Sequence, residues 1–220
     1  MKITLQSIAK QLGVSTTTVS RVLSGQSKKY RISVATEEAI RNTAIDLGYI
    51  PDQMAKGLRL RRSFTIGLVI PDISNPFFSM VARSIEREAR REGYAIILSD
   101  TQESTQIEVE SIRLLQSRTV DGFIIFPAGG ETQHLIALVR TETPIVMADR
   151  YSTELKCPFV VSDNYQGAFE ATSHLLEQNH KRIACIQGRP GTMVSDERVR
   201  GYRDALTKHN IPEEDQLIVG

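Results

Sequence analysis

Apolar residues near the start of the chain recur with the period of a helix. Leu5, Ile8, Ala9 and Leu12 stand at i, i+3, i+4 and i+7, which places them on one helix face. Gly13 follows and suits the left-handed position that ends a helix. Ser15 then offers an N-cap, and Val19, Val22 and Leu23 form the inward stripe of a second helix. A third helix is predicted from about Ser33 to Leu47, with Ala35, Ala39, Ile40, Ala44 and Leu47 available for packing and Gly48 closing it. Two short helices joined by a tight glycine turn, followed by a third, make a helix-turn-helix unit.

Beyond Phe64 the pattern changes to short, nearly continuous aliphatic runs between amphipathic stretches. Phe64 to Ile70, Tyr94 to Asp100, Asp121 to Pro127, Pro144 to Asp149 and Phe159 to Asn164 read as strands. Helices are predicted over 77–93, 103–118 and 132–139. Buried strands alternating with helices indicate a parallel sheet covered on both faces, an α/β body behind an all-α head. After Asp163 one helix to about Gln178, a strand over 182–188, a helix through about His209 and the beginning of a strand over 216–220 suggest a second, partial lobe.

Composition narrows the class. The chain has 220 residues, 40% hydrophobic and 24% charged, and contains no apolar run near the ~18 to 20 residues that span a bilayer. The first residues, MKITLQSIAKQLG, lack an apolar core followed by a small-residue cleavage site, and the two cysteines, Cys157 and Cys185, have no zinc-ligand spacing. The reading is a reduced, cytoplasmic protein. The net charge of +1 hides an asymmetry. Up to Ser63 there are 11 Lys/Arg against 4 Asp/Glu, and from Phe64 onward 16 against 22. A basic head on an acidic body suits a polyanionic partner for the head, although a solvated basic face has the same composition.

The stretch GVSTTTVSRVL, Gly13 to Leu23, carries the candidate chemistry of the head. Its aliphatics fill the buried positions, which leaves Thr16, Thr17, Ser20 and Arg21 on the other face. Small hydroxylated residues at a helix N-terminus approach a phosphate closely, and Arg21 is the side chain there able to fork onto guanine O6 and N7. Bulk charge comes from Lys2, Lys10, Lys28, Lys29 and Arg31 around it. A three-helix interaction module would use the same packing; the turn pattern and the basic balance together favour DNA.

The segments TLQSIAKQLGVSTTTVSRVLSG and ATEEAIRNTAIDLGYIPDQMAKGL resemble the lactose/galactose/purine repressor family of bacterial transcription regulators. The resemblance implies a DNA-binding head over 1–50, a hinge over 51–62, a first lobe over 63–162 of a sensor similar to the periplasmic sugar-binding proteins, and a partial second lobe over 163–220. It implies that Thr16, Thr17 and Arg21 read bases and that Ser15, Ser20 and Ser33 contact phosphate, with Thr4 also among the DNA-binding positions. Leu58 matches the residue that wedges between base pairs, and Arg59 after it could read the minor groove. On its own the hinge stretch Pro51 to Leu60 is too short and polar for a stable helix, so it would fold chiefly when bound. The stretch SGQSKKYRIS is longer than most members have between helices two and three.

In an open parallel sheet, ligands bind beyond the carboxyl ends of the strands. There the chain has Asp72 to Phe78, Asp100, Thr101, Phe126, Pro127, Asp149 and Arg150. A carboxylate and a guanidinium beside aromatic rings suit a polar ligand with an apolar face, such as a sugar or a purine. The alternative for Phe77 and Phe78 is helix-start packing, and for Asp149 a loop or cap role. The resemblance aligns Phe77, Phe78, Phe126, Asp149 and Arg198 with effector-contacting positions. Asp163 and Asn164 read as caps, and His134, His174, His180 and His209 as surface or helix-end residues.

The expected protein is a transcription regulator, most often a repressor in this family, that binds a pseudo-palindromic operator as a homodimer under control of a small-molecule effector. No membrane partner or metal is expected. No nucleotide cofactor is expected, since no G-x-G-x-x-G or Walker pattern follows Phe64. No catalytic residue is expected, because no nucleophile, base and orienter set is present. The alternative is a small-molecule binding protein of the solute-receptor fold without a regulatory role. The resemblance also implies that the second lobe continues for roughly another hundred residues. The expectation for these 220 residues alone is weak effector binding and a poorly ordered or adhesive second lobe, since uncovered strand edges invite pairing.

Overall fold

The computed structural model describes residues 3–49, 62–152 and 154–220. The chain folds as two compact units, Met1–Arg61 and Arg62–Gly220.

In the first unit, α1 (Leu5–Leu12), α2 (Thr16–Leu23) and α3 (Val34–Asp46) enclose a small core. Ile8, Ala9, Val19, Val22, Ile40 and Ala44 are buried together, with Leu5, Leu12, Leu23 and Leu47 packed against them. The α1–α2 turn works because Gly13 sits at φ 63°, ψ 27°, where its amide donates to the Ala9 carbonyl. Gly48 ends the third helix in the same way, at φ 64°. Each helix begins at a hydroxyl cap: Thr4, Ser15 and Ser33 accept from the amides of Ser7, Thr18 and Thr36. The buried stripe of α3 differs from the expected one. Ile40, Thr43 and Ala44 are buried, whereas Ala35 and Ala39 face solvent. With only two short helices to cover it, α3 buries a narrow strip, and alanines outside that strip have nothing to pack on.

The second unit is built on a five-stranded parallel sheet in the order β2-β1-β3-β4-β5. Its strands are β1 (Thr65–Ile70), β2 (Ala95–Asp100), β3 (Gly122–Ile125), β4 (Ile145–Ala148) and β5 (Phe159–Val160). The register Leu68↔Leu98 and Leu68↔Ile124 sets β1 between its neighbours. One face packs on α4 (Pro76–Arg91) through Leu68, Ile70, Phe78, Ala82 and Phe126. The other packs on α5 (Thr105–Ser117) and α6 (Gln133–Val139) through Val69, Ile112, Leu115, Phe123, Ile125 and Leu135. The α/β class with helices on both faces is therefore as the sequence pattern implies.

Past the sheet, α7 (Asn164–Glu177) and α8 (Met193–Lys208) pack on each other. A two-stranded parallel sheet, β6 (Cys185–Ile186) with β7 (Ile218–Val219), lies beside them. Tyr202, Leu206, Leu176 and Ile183 form the core, and the buried Tyr202 hydroxyl donates to the Ile183 carbonyl at 2.8 Å. The strand predicted over 182–188 shrinks to two residues, because pairing with β7 reaches only Cys185 and Ile186. Ile186 is left 78% exposed, so this small sheet has little to cover it.

Candidate nucleic-acid interface and ligand crevice

Helix α2 turns Val19 and Val22 inward, and that rotation fixes the opposite face. Thr16 and Thr17 are exposed, while Ser20 and Arg21 are half-exposed. Ser15 Oγ accepts the Thr18 amide at 3.0 Å and lies 2.8 Å from Thr18 Oγ1. Ser33 repeats the arrangement on Thr36 at 3.2 and 2.8 Å, and Thr4 forms a reciprocal box with Ser7. Ser15 and Ser33, two of the three hydroxyls aligned with phosphate contacts, are thus also helix N-caps, as is Thr4, whereas Ser20 lies inside α2. Exposed N-terminal amides with a positive dipole end favour an anion. Lys10, Lys28, Lys29 and Arg31 are exposed on the same unit. Arg41 contributes less to this charge, since Glu37 accepts from its Nε and Nη2 at 2.9 and 2.7 Å. Leu58 and Arg59 lie outside the described residues, as does all of the predicted hinge except Arg62.

The second site lies past the carboxyl ends of the strands. Asp149 follows β4 with φ 62°, and the Arg150 amide donates back to the Ala148 carbonyl at 2.6 Å, a tight three-residue turn that a non-glycine residue rarely adopts. The turn holds the Asp149 carboxylate in a half-enclosed position 3.8 Å from Arg150 Nε. Burial pushes its pKa up, opposed by the nearby Arg150 and Arg198 cations. Among the described residues no hydrogen bond is donated to it, so its oxygens are available to a ligand's hydroxyls. Arg198, on α8, is held through Nε by Asn164 Oδ1 at 2.9 Å. Asp163 does cap α7, on the Gln166 amide, but Asn164 is buried and serves instead to orient Arg198.

The aromatic candidates divide. Phe77 is 44% exposed, whereas Phe78 and Phe126 are 4% and 1% exposed and belong to the sheet core. The three rings form an edge-to-face chain with centroid spacings of 5.2 and 5.8 Å. Phe77, Phe126 and Asp149 line a common cavity of about 410 Å³ with Ile124, Val146 and Val160. Phe78 and Arg198 do not line it. A further cavity of about 310 Å³ is lined by Arg150 together with Pro127, Gly129, Tyr151, Thr192 and Met193.

Three groups escaped the sequence reading. Glu103, in a turn where Gln102 and Glu103 both have positive φ, accepts both Nη atoms of Arg150 at 2.7 and 2.9 Å. Arg189, 86 residues further on, reaches the same carboxylate at 2.7 Å and the Ala128 carbonyl at 3.1 Å. One carboxylate thereby ties the first-lobe sheet to the segment preceding α8. Glu108, 1% exposed, accepts the Ala128 amide at 2.7 Å and lies 2.6 Å from His134 Nε2. His134 is therefore a partner of a buried carboxylate and not a surface residue. It sits one residue into α6, and the sequence offered only a lone histidine at a helix start.

Burial pushes the Glu103 carboxyl up, but the Arg150 and Arg189 guanidiniums more than offset this and hold it below its ordinary value. Its contribution is thus fully present above the usual carboxylate pKa of ~4.3 and is lost as pH falls through the lowered folded value. Glu103→Gln is expected to lower the melting temperature at pH 7 by about 2 to 4 °C, as for a partly exposed pair worth ~1 kcal/mol in a chain of this size. The gap between variant and wild type should begin to narrow below the usual carboxylate pKa and close as pH falls through the lowered folded value. A gap that stayed constant from pH 7 to pH 3 would remove the ion pairs as its cause, and thermal melts across that range read it out.

Two family descriptions cover this architecture. "Bacterial regulatory proteins, lacI family" matches residues 4–52, and "Periplasmic binding proteins and sugar binding domain of LacI family" matches residues 63–219. The chain belongs to the LacI family of bacterial regulatory proteins. Among curated relatives, the transcriptional repressor CytR of Escherichia coli K12 is 35% identical over 98% of this chain and 62% of its own length. The ribose operon repressor of Halalkalibacterium halodurans is 37% identical over 94% of this chain and 61% of its own length. The lac repressor dimer bound to operator and the anti-inducer ONPF has the same fold, with a TM-score of 0.84 and 24% identity over 96% of this chain and 64% of that one. This LacI-family chain thus spans about 62% of the length of the first of these relatives. The relatives are named as regulators and not as enzymes. Among the described residues no helix is long and apolar enough to cross a membrane.

Proposed function

We propose that this LacI-family chain is the operator-binding and partial sensor portion of a cytoplasmic transcription regulator that acts as a repressor. The observation that carries the proposal is the outward face of α2, where Thr16, Thr17, Ser20 and Arg21 stand clear of the core beside capped helix N-termini. Residues 1–50 are the DNA-binding head, 51–62 the hinge, 63–162 the first lobe and 163–220 part of the second. Thr16, Thr17 and Arg21 read bases in the major groove; Ser15, Ser20 and Ser33 contact phosphates, with Thr4 also among the DNA-binding residues; Leu58 wedges into the minor groove with Arg59 beside it. A homodimer presents two heads to a pseudo-palindromic operator. A sugar or related metabolite is the effector, its hydroxyls meeting Asp149 and Arg198 and its apolar face meeting Phe77, with Phe78 and Phe126 supporting that ring. The names of CytR and the ribose operon repressor support the regulatory reading.

Selection of duplexes from a randomised pool, followed by fluorescence anisotropy over a range of salt, tests the proposal. The expected result is a recovered motif with two half-sites and an affinity that falls linearly in log–log form with salt. Lys28→Ala should weaken motif and random duplexes alike and lower the salt slope by ~0.9, the value for one lost phosphate contact. A small-molecule binding protein without a regulatory role would yield no motif, and that outcome would reject the reading.

A further inference from the structure

The long stretch between α2 and α3 is an ordered platform. The Gln26 amide donates to the Arg21 carbonyl at 2.9 Å, the Tyr30 amide to Gln26 at 3.2 Å, the Arg31 amide to Lys28 at 3.2 Å and the Ile32 amide to Ser27 at 3.0 Å. Ser27 is 3% exposed, Ile32 packs on the head core, and Arg31 takes φ 52° to close the turn. This folding brings Tyr30 beneath the second helix. The guanidinium carbon of Arg21 lies 3.7 Å from the centroid of the Tyr30 ring, and Lys29 Nζ lies 5.7 Å from the same centroid. Among the described residues the Arg21 guanidinium has no carboxylate or carbonyl partner.

We infer that Tyr30 is a positioning residue for Arg21, whose guanidinium it holds face-on so that the N–H edge is presented to a base. The inference rests on the proposed DNA-binding function and adds a residue to its specificity. A stacked guanidinium uses its face on the ring and keeps its in-plane donors free, the geometry needed for a bidentate contact with guanine. An unrestrained arginine loses rotamer freedom when it docks, and part of that loss is already incurred here before DNA arrives. The ring needs no contact with DNA to do this, which separates its role from that of Lys28 and Lys29.

The test uses the full chain, the duplex recovered by selection from a randomised pool, the same duplex with the Arg21-read base pair exchanged, and random duplex. Tyr30→Leu should weaken binding to the selected duplex about threefold to tenfold, cut the discrimination at that base pair by a similar factor, and leave random-DNA affinity and salt slope unchanged. Tyr30→Phe, which keeps the ring, should retain wild-type discrimination. In an Arg21→Ala background, Tyr30→Leu should add nothing further. In the free protein, the Arg21 Nε–H resonance should carry a ring-current shift that Tyr30→Leu removes and Tyr30→Phe keeps. The inference is overturned if Tyr30→Leu leaves discrimination intact, if it weakens random DNA equally, or if its effect persists without Arg21. A wild-type chain with no motif preference at all would instead bring down the DNA-binding reading, and this inference with it.

Discussion

Arg21→Ala is expected to cost about 1 to 3 kcal/mol of operator affinity and to relax the preference at one base pair in each half-site. Arg21 stands in the last turn of α2, on the face opposite buried Val19 and Val22, so its removal leaves the head core untouched. The hydroxylated neighbours Thr16, Thr17 and Ser20 offer single hydrogen bonds, and none of them forks across two acceptors of a guanine. Binding to random duplex should fall only slightly, because it depends on summed charge, and Lys10, Lys28, Lys29 and Arg31 remain exposed. The measurement is anisotropy with the selected duplex, its single-base-pair variants and random DNA. Unchanged affinities for specific and random duplex would mean that α2 is not the helix that reads sequence.

Gly201→Ala is expected to unpack the second lobe, with a loss of about 1 to 3 kcal/mol typical of overpacking. At Gly201 helices α7 and α8 approach so closely that a Cβ would press into the Tyr165 carbonyl oxygen. It would also lie 3.0 Å from the Phe169 amide and 3.2 Å from Ala168 Cβ. Backbone atoms cannot rotate out of the way, so the helices must separate and loosen the Leu176, Ile183, Tyr202 and Leu206 cluster. Gly167, on the exposed side of α7, supplies the contrast: a Cβ there meets nothing within 4 Å. Gly167→Ala should stabilise by up to ~1 kcal/mol, the helix preference of alanine over glycine. Amide hydrogen exchange should show α7 and α8 losing protection in Gly201→Ala while β1 and β3 keep theirs. Equal protection in the two glycine variants would contradict the close crossing. Arg198, carried on α8 and oriented by Asn164 on α7, would be displaced by the same separation.

Periodicity, caps and turn glycines are local properties, and they were legible in the chain. Leu5, Ile8, Ala9 and Leu12 name a helix face by spacing alone, and Gly13 names its end because few other residues take positive φ without strain. The alternation of aliphatic runs and amphipathic stretches likewise implies a parallel sheet, since strands buried on both faces have no polar side. The outward position of Thr16, Thr17, Ser20 and Arg21 follows from the same rotation that buries Val19 and Val22. Pattern reading was weaker where a partner decides the outcome. Ala35 and Ala39 fit an apolar stripe but meet no neighbour, and the strand predicted over 182–188 has length only where β7 pairs with it. The contacts most specific to this protein were decided by tertiary structure alone. Glu103 meets Arg189 across 86 residues, Glu108 meets His134 across 26, and Tyr30 comes under Arg21 only because a closed turn folds back on α2. A sequence shows which face a charged or aromatic residue occupies. Which other face it meets depends on how the elements cross, because a long polar side chain has acceptable partners on many surfaces until packing brings one of them within reach.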